Sequence, residues 1–147
     1  MARAIFAAGC FWGVEAKFKE VDGVEDTTVG YTGGKTVEPS YEEVCTGETG
    51  HAEAVEVIYD SAEVSYQELL DLFWQIHNPT TLNREGPDIG SQYRSAIFYT
   101  TEKQKELAQK SKERLDNSAK YDDAIVTEIK EAGPFYKAEE YHQDYLG

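Results

Sequence analysis

The chain has 147 residues, of which 40% are hydrophobic and 12% aromatic, enough apolar surface for one domain to build a core without disulfides. Lys and Arg number 14 against 28 Asp and Glu, and the formal charge of −14 repels nucleic-acid phosphates and anionic lipid. No nucleic-acid partner and no membrane partner are therefore expected, global disorder is excluded, and the acidity itself reads as a solubility feature.

Residues 3–7 read as a short buried strand, after which Gly9 turns the chain into residues 10–19 with helical spacing, so that Cys10 opens a helix. A turn at residues 21–24 leads to a strand at 27–32 that ends in Gly33 and Gly34, and a loop follows. Residues 51–59 alternate: Ala52, Ala54 and Glu56 share one face, while Glu53 joins Val55, Val57 and Tyr59 on the apolar one. Ser65 and Glu68 open an amphipathic helix bearing Leu69, Leu70, Phe73, Trp74 and Ile76. Residues 78–92, punctuated by Pro79, Gly86, Pro87 and Gly90, form a long loop of the kind that often carries function. A strand at 93–99, a solvated helix at 101–117 and a strand at 125–129 follow, and the aromatic-rich segment from Phe135 onward is expected to dock against the body. This order of elements implies an α+β sandwich of one sheet and helices, a single domain over residues 1–147.

Only two cysteines are present, Cys10 and Cys45, and the first residues lack the basic-then-apolar order of a secretory leader, so a reducing, cytoplasmic setting is expected. No apolar run approaches the length of a membrane span. Gly30 to Thr36 approximates a phosphate loop, but its first Gly is one residue too close and no clear helix follows. His51 and Glu53 have the spacing of a zinc deaminase motif without the paired cysteines that complete the metal site.

Cys10 at a helix N-terminus has a physical claim to reactivity, because free N–H groups and the helix dipole favour its thiolate. The alternative is a small buried residue, and Phe11 and Trp12 beside it either line an apolar slot or pack the core. Glu53 on an apolar strand face either neutralises by holding a proton, which it can then donate, or forms a salt bridge or sits at an edge. Tyr41, Tyr93 and Asp88 lie in or beside loops, where they can bind a polar ligand. Three functions remain open on these residues: a thiol-based reductase, a cysteine hydrolase pairing Cys10 with His51, and a non-catalytic binding module built on Phe11 and Trp12.

The stretch Gly9-Cys-Phe-Trp-Gly-Val-Glu15 resembles the peptide methionine sulfoxide reductases of the A class. The resemblance continues through Gly30-Tyr-Thr-Gly-Gly34, Tyr41-Glu-Glu-Val-Cys45, Thr49-Gly-His-Ala-Glu-Ala54, His77-Asn-Pro79, Asp88-Ile-Gly-Ser-Gln-Tyr-Arg-Ser95 and Tyr141-His-Gln143, nearly the whole chain. It implies that Cys10 attacks the sulfoxide sulfur, Glu53 protonates the oxygen, Tyr41 and Tyr93 hydrogen-bond that oxygen, Phe11 and Trp12 accept the methyl group, and Asp88 stands near the substrate. It also implies action on the S epimer of methionine sulfoxide, free or in proteins, with methionine and a Cys10 sulfenic acid as products. No metal or cofactor is expected, and the fold implied is a two-layer α/β plait-like (ferredoxin-like) sandwich. Many relatives carry resolving cysteines beyond the Tyr-His-Gln motif. None follows Gln143 in this sequence, and Cys45 matches a position not usually used for resolution, so an external thiol (thioredoxin, glutaredoxin or a small thiol) is expected to reduce Cys10 directly.

Overall fold

The computed structural model describes residues 1–146. Its first strand, β1 (Ala2–Ala8), is apolar on both faces and becomes a central strand, pairing antiparallel with β3 (Ala52–Tyr59) on one side and β6 (Ser95–Tyr99) on the other. β2 (Val24–Thr32) pairs antiparallel with β3, giving the order β6-β1-β3-β2. Helix α1 (Phe11–Lys19) connects β1 to β2, and α3 (Tyr66–Gln75) lies between β3 and β6 in the chain. The remaining elements in chain order are α2 (Tyr41–Cys45), the hairpin β4 (Arg84–Glu85) and β5 (Asp88–Ile89), α4 (Glu102–Asn117), β7 (Glu128–Glu131) and β8 (Phe135–Lys137). β7 adds to β6 in parallel and β8 to β2 antiparallel, completing a six-stranded sheet.

The helical face of the sheet holds the main core, where Phe6 of β1 stacks on Phe18 of α1 at 5.0 Å and meets Phe73 of α3 at 5.4 Å between ring centroids. α4 joins this layer through buried Ala108 and through the Trp74 Nε1–H, which donates to Ser111 Oγ at 2.7 Å. Most of the expected strands and helices stand close to their predicted places; β2 begins earlier than the strand read at 27–32, and the remaining differences have identifiable causes. Residues 41–45 are helical where a loop is predicted, because Ser40 Oγ accepts the Glu43 N–H while the Glu43 carboxylate takes the Ser40 N–H, a complete capping box. The strand expected at 125–129 begins instead at Glu128. Ile125 N–H is held by Asp116 and Val126 N–H by the Pro79 carbonyl, so pairing with β6 starts only at Ala96 and Glu128. Tyr93 belongs to a 3-10 turn over Ser91–Tyr93 and not to β6.

The second face of the sheet is also buried, contrary to the one-sided reading of β3. Ala52 and Ala54 cluster there with Ile5, Ala7, Ala96 and Phe98 beneath Ala132 and Phe135, so the segment leading into β8 serves as a cover. Gly30 permits this approach, since a Cβ at that position would lie 2.5 Å from the Tyr136 carbonyl oxygen. Among the described residues no helix is long and apolar enough to cross a membrane.

Candidate active site

Gly9, at φ +102°, turns β1 into α1, and Cys10 becomes the N-cap of that helix, partly exposed and free. Its side chain makes no cap hydrogen bond to the helix. The thiol is pushed up to about 11, chiefly by burial; the N–H groups of Trp12 and Gly13 oppose this, and the charges of Glu53 and Asp88 reinforce it. The expectation that the helix end yields a standing thiolate is therefore corrected. The N-terminal N–H groups act in the expected direction, but desolvation and two nearby carboxylates outweigh them.

Glu53 stands in β3 directly across from Tyr31 of β2 and is 1% exposed. Its Oε1 accepts the Phe11 N–H at 3.2 Å, which ties the carboxyl to the residue after Cys10. Its Oε2 is buried with no hydrogen-bond partner among the described residues. Burial raises the group to about 7, the Phe11 N–H holding it back and Asp88 adding to the rise, so Glu53 carries a proton in a substantial fraction of molecules near neutrality. Among the described residues no cation pairs with it, and the salt-bridge alternative falls.

Tyr41 opens α2 and Tyr93 closes the 3-10 turn, and the charge of Glu53 acts on both. Burial pushes Tyr93 up to about 12, with Glu53, Cys45, Asp88 and Cys10 adding to it, and pushes Tyr41 up as well, so both phenols keep their protons and can donate. Cys45 is exposed and acts as a neighbour of the Tyr41 hydroxyl. Asp88 is carried by the β4–β5 hairpin, whose Glu85 packs against Gly9; a Cβ there would meet Glu85 Cγ at 2.8 Å. Phe11 is buried against Tyr31, whereas Trp12 keeps an exposed part and stacks on Tyr145 at 4.0 Å between centroids.

His51 has both ring nitrogens occupied by backbone. Nδ1 accepts the Gly34 N–H at 3.0 Å, and Nε2 lies 2.7 Å from the Thr36 carbonyl oxygen, to which it donates. It pins the Gly33–Gly34 turn to the start of β3 and is not poised as a base for Cys10, which removes the hydrolase pair and leaves no free nitrogen for zinc. The acidic trio Glu25, Asp60 and Glu63 has ligand atoms within 4.8 Å of one another, but Glu25 lies at the opposite end of β2 from Tyr31.

Sequence reasoning missed the contribution of the docked segment after β8. Glu139 accepts both the Tyr31 hydroxyl at 2.9 Å and the Tyr41 N–H at 3.0 Å, and these donors hold its carboxyl low against the upward push of burial. Gln143 closes on both the N–H and the carbonyl of Val29 at 2.9 Å. Arg94 braces the loops beside Tyr93, donating to the carbonyls of Ser91 at 2.8 Å and Gly50 at 2.9 Å. The density of aromatic residues after Phe135 signalled docking, but not these partners.

The family model for peptide methionine sulfoxide reductase matches residues 2–147. The chain is similar to the peptide methionine sulfoxide reductase MsrA of Methanothermobacter thermautotrophicus, 60% identical over 144 residues that span 98% of this chain and 85% of the relative. Among solved structures, reduced Mxr1 from Saccharomyces cerevisiae superposes with a TM-score of 0.92 at 39% identity, over 99% of this chain and 83% of its own. Mxr1 in complex with Trx2 gives a TM-score of 0.70 at 28% identity, over 98% and 84% of the two chains. Cys10, Glu53, the two tyrosines and Asp88 thus converge within a fold that nearly the whole of this chain shares with these reductases, and the chain belongs to the peptide methionine sulfoxide reductase family as an enzyme of the MsrA kind.

Proposed function

We propose that this chain, as one catalytic domain over residues 1–147, reduces the S epimer of methionine sulfoxide, free or in proteins, through Cys10 and Glu53. The observation that carries the reading is the buried Glu53 carboxyl, raised to about 7, with one oxygen bound to the Phe11 N–H and the other without a partner, beside the free thiol of Cys10. A sulfoxide oxygen leaves poorly until protonated, so a retained proton at that position is what the chemistry requires.

As Cys10 Sγ bonds to the sulfoxide sulfur, Glu53 gives its proton to the oxygen and then takes up the proton of the thiol. Transfer of the hydroxyl to Sγ breaks both the sulfur–oxygen bond and the newly made Sγ–sulfur bond and forms an Sγ–oxygen bond, which oxidises Cys10 to a sulfenic acid and releases methionine. An external thiol next displaces water to form a mixed disulfide, and a second thiol restores Cys10. The complex of Mxr1 with Trx2 supports a thioredoxin as that thiol; glutaredoxin and small thiols fit the same step. Protonated Tyr41 and Tyr93 donate to the sulfoxide oxygen, Trp12 with Phe11 behind it receives the methyl group, and the Asp88 charge keeps the site protonated. No cofactor enters any step, and the setting proposed is cytoplasmic. The antiparallel order β6-β1-β3-β2, with α1 and α3 as its connecting helices, supports a plait-like, ferredoxin-like core.

The test mixes reduced protein, freed of added thiol, with excess sulfoxide of each epimer. About one methionine per chain from the S epimer, with one oxygen added to Cys10 and none formed by Cys10→Ser, is expected. Methionine from neither epimer, or turnover by Cys10→Ser, overturns the reading, and a Cys10–Cys45 disulfide overturns direct reduction by an external thiol.

A further inference from the structure

His142 takes no part in the steps above, yet it is 1% exposed and ringed by aromatic side chains. Its imidazole lies 4.1 Å from Tyr141, 4.4 Å from Tyr41, 5.2 Å from Phe11 and 5.7 Å from Trp12 between ring centroids. Nδ1 accepts the indole Nε1–H of Trp12 at 3.0 Å. An indole nitrogen only donates, so Nδ1 is unprotonated and the single ring proton sits on Nε2. Burial lowers the pKa of the ring against the pull of Glu139 and favours this neutral form, in which Nδ1 remains an acceptor. Nε2 is buried without a partner among the described residues, so the ring is placed by its neighbours and by the Trp12 bond alone.

Trp12 itself stands in the first turn of α1 with part of its surface open, and its stacking partner Tyr145 is 52% exposed. Stacking leaves the indole free to slide and rotate in plane; among the described residues its one directional restraint is the hydrogen bond to an acceptor held in a buried cage. We propose that His142 is the positioning residue for Trp12, fixing the angle of the indole face against which the methyl group of the sulfoxide packs. The proposal rests on the reading of Trp12 as that wall. A flat apolar face discriminates a methyl group only when it is held still, which makes the acceptor on His142 part of substrate recognition without touching substrate.

Three variants separate the atoms of the ring. His142→Phe keeps an aromatic ring and removes the acceptor, His142→Asn keeps an oxygen where Nδ1 stood, and His142→Gln places its amide where Nε2 stood. Loss of the acceptor is expected to raise KM for the sulfoxide by about tenfold in the Phe and Gln variants, with kcat within about twofold, and Asn is expected to recover most of it. Trp12→Phe raises KM alone, and adding His142→Phe to it has no further effect. The Trp12 indole N–H resonance gives a readout separate from catalysis: it shifts in the Phe and Gln variants and returns in Asn. If Trp12→Phe leaves KM unchanged, the reading of the wall fails. If Trp12→Phe raises KM while His142→Phe and His142→Gln do not, or the two substitutions add, the positioning role of His142 is overturned. Should His142→Phe not fold, the Asn and Gln pair decides the matter by itself.

Discussion

Glu53→Gln is expected to weaken catalysis and strengthen the fold, the second effect appearing only where the native carboxyl ionises. The folded chain raises this carboxyl from its ordinary 4.5 to about 7, so it holds the proton more tightly than the unfolded chain does. The associated stability is fully present below about pH 4.5 and is lost as pH rises through about 7, a loss of about 3 kcal/mol when complete. Gln cannot ionise and escapes that loss. Its Oε1 can keep the bond to the Phe11 N–H, while its amide nitrogen takes the place of the unpartnered Oε2 at a cost of about 1–2 kcal/mol that does not vary with pH. Every other titrating group is common to the two chains, and those that feel the Glu53 charge, Cys10, Tyr41 and Tyr93, are held protonated in the folded chain over this pH range, so they add little to the difference. Urea unfolding of both proteins at about pH 4, 6 and 8 measures that difference, which is expected to move in favour of Gln by about 3 kcal/mol across the series. A difference that stays flat with pH would refute the reasoning, for it would mean that Glu53 ionises as easily inside the protein as outside it.

The rate has its own pH signature: if the Glu53 proton is given up as the Cys10 thiol returns one, kcat/KM falls about tenfold per pH unit above about 7. A plateau extending toward about 11 would mean that a thiolate attacks beside protonated Glu53. Gly34→Ala would place a Cβ 2.3 Å from the His51 backbone nitrogen and 2.5 Å from the Thr49 carbonyl oxygen, and is expected to destabilise by about 2 kcal/mol or more in urea unfolding. Gly133→Ala, with nothing within 4 Å, serves as the neutral comparison, within about 0.5 kcal/mol. His51→Ala is expected to loosen the turn at residues 34–36, costing about 2 kcal/mol, while sulfoxide reduction survives in the folded fraction and ester hydrolysis is absent from both proteins.

Legibility in the sequence tracked the range of the interactions involved. Gly9 and Cys10 at a strand-to-helix junction, and Glu53 on an apolar strand face, follow from local periodicity, and the structure places both as read. The protonation of Cys10 did not follow, because its dominant causes, burial and the charges of Glu53 and Asp88, come from other elements of the fold. The short helix at Tyr41 had a local signal, Ser40 followed by Glu43, that the loop reading passed over. The start of β7 depended on Asp116 and Pro79 capturing Ile125 and Val126, the first from the far side of the turn after α4 and the second from a remote loop, partners that strand periodicity does not register. The contacts of Glu139 and His142 were not legible either, although His142 lies in the Tyr141-His-Gln143 motif: each matters through partners about 100 residues or more away in the chain.

Those long-range ties carry a consequence for the protein as it emerges from the ribosome. Trp12 is joined to His142 across 130 positions, Glu15 to the Asp144 N–H across 129, and Lys19 to Asp144 across 125. β1 is itself an inner strand that needs both β3 and β6 before its edges are paired. Cys10, the proposed nucleophile, is thus synthesised more than a hundred residues before His142 and Glu139, the groups that hold Trp12 and the α2 N-terminus. A growing chain therefore displays the Cys10 thiol long before Trp12 and α2 have their long-range partners, and on the reading proposed above the site is completed only after the segment beyond β8 has been made and docked.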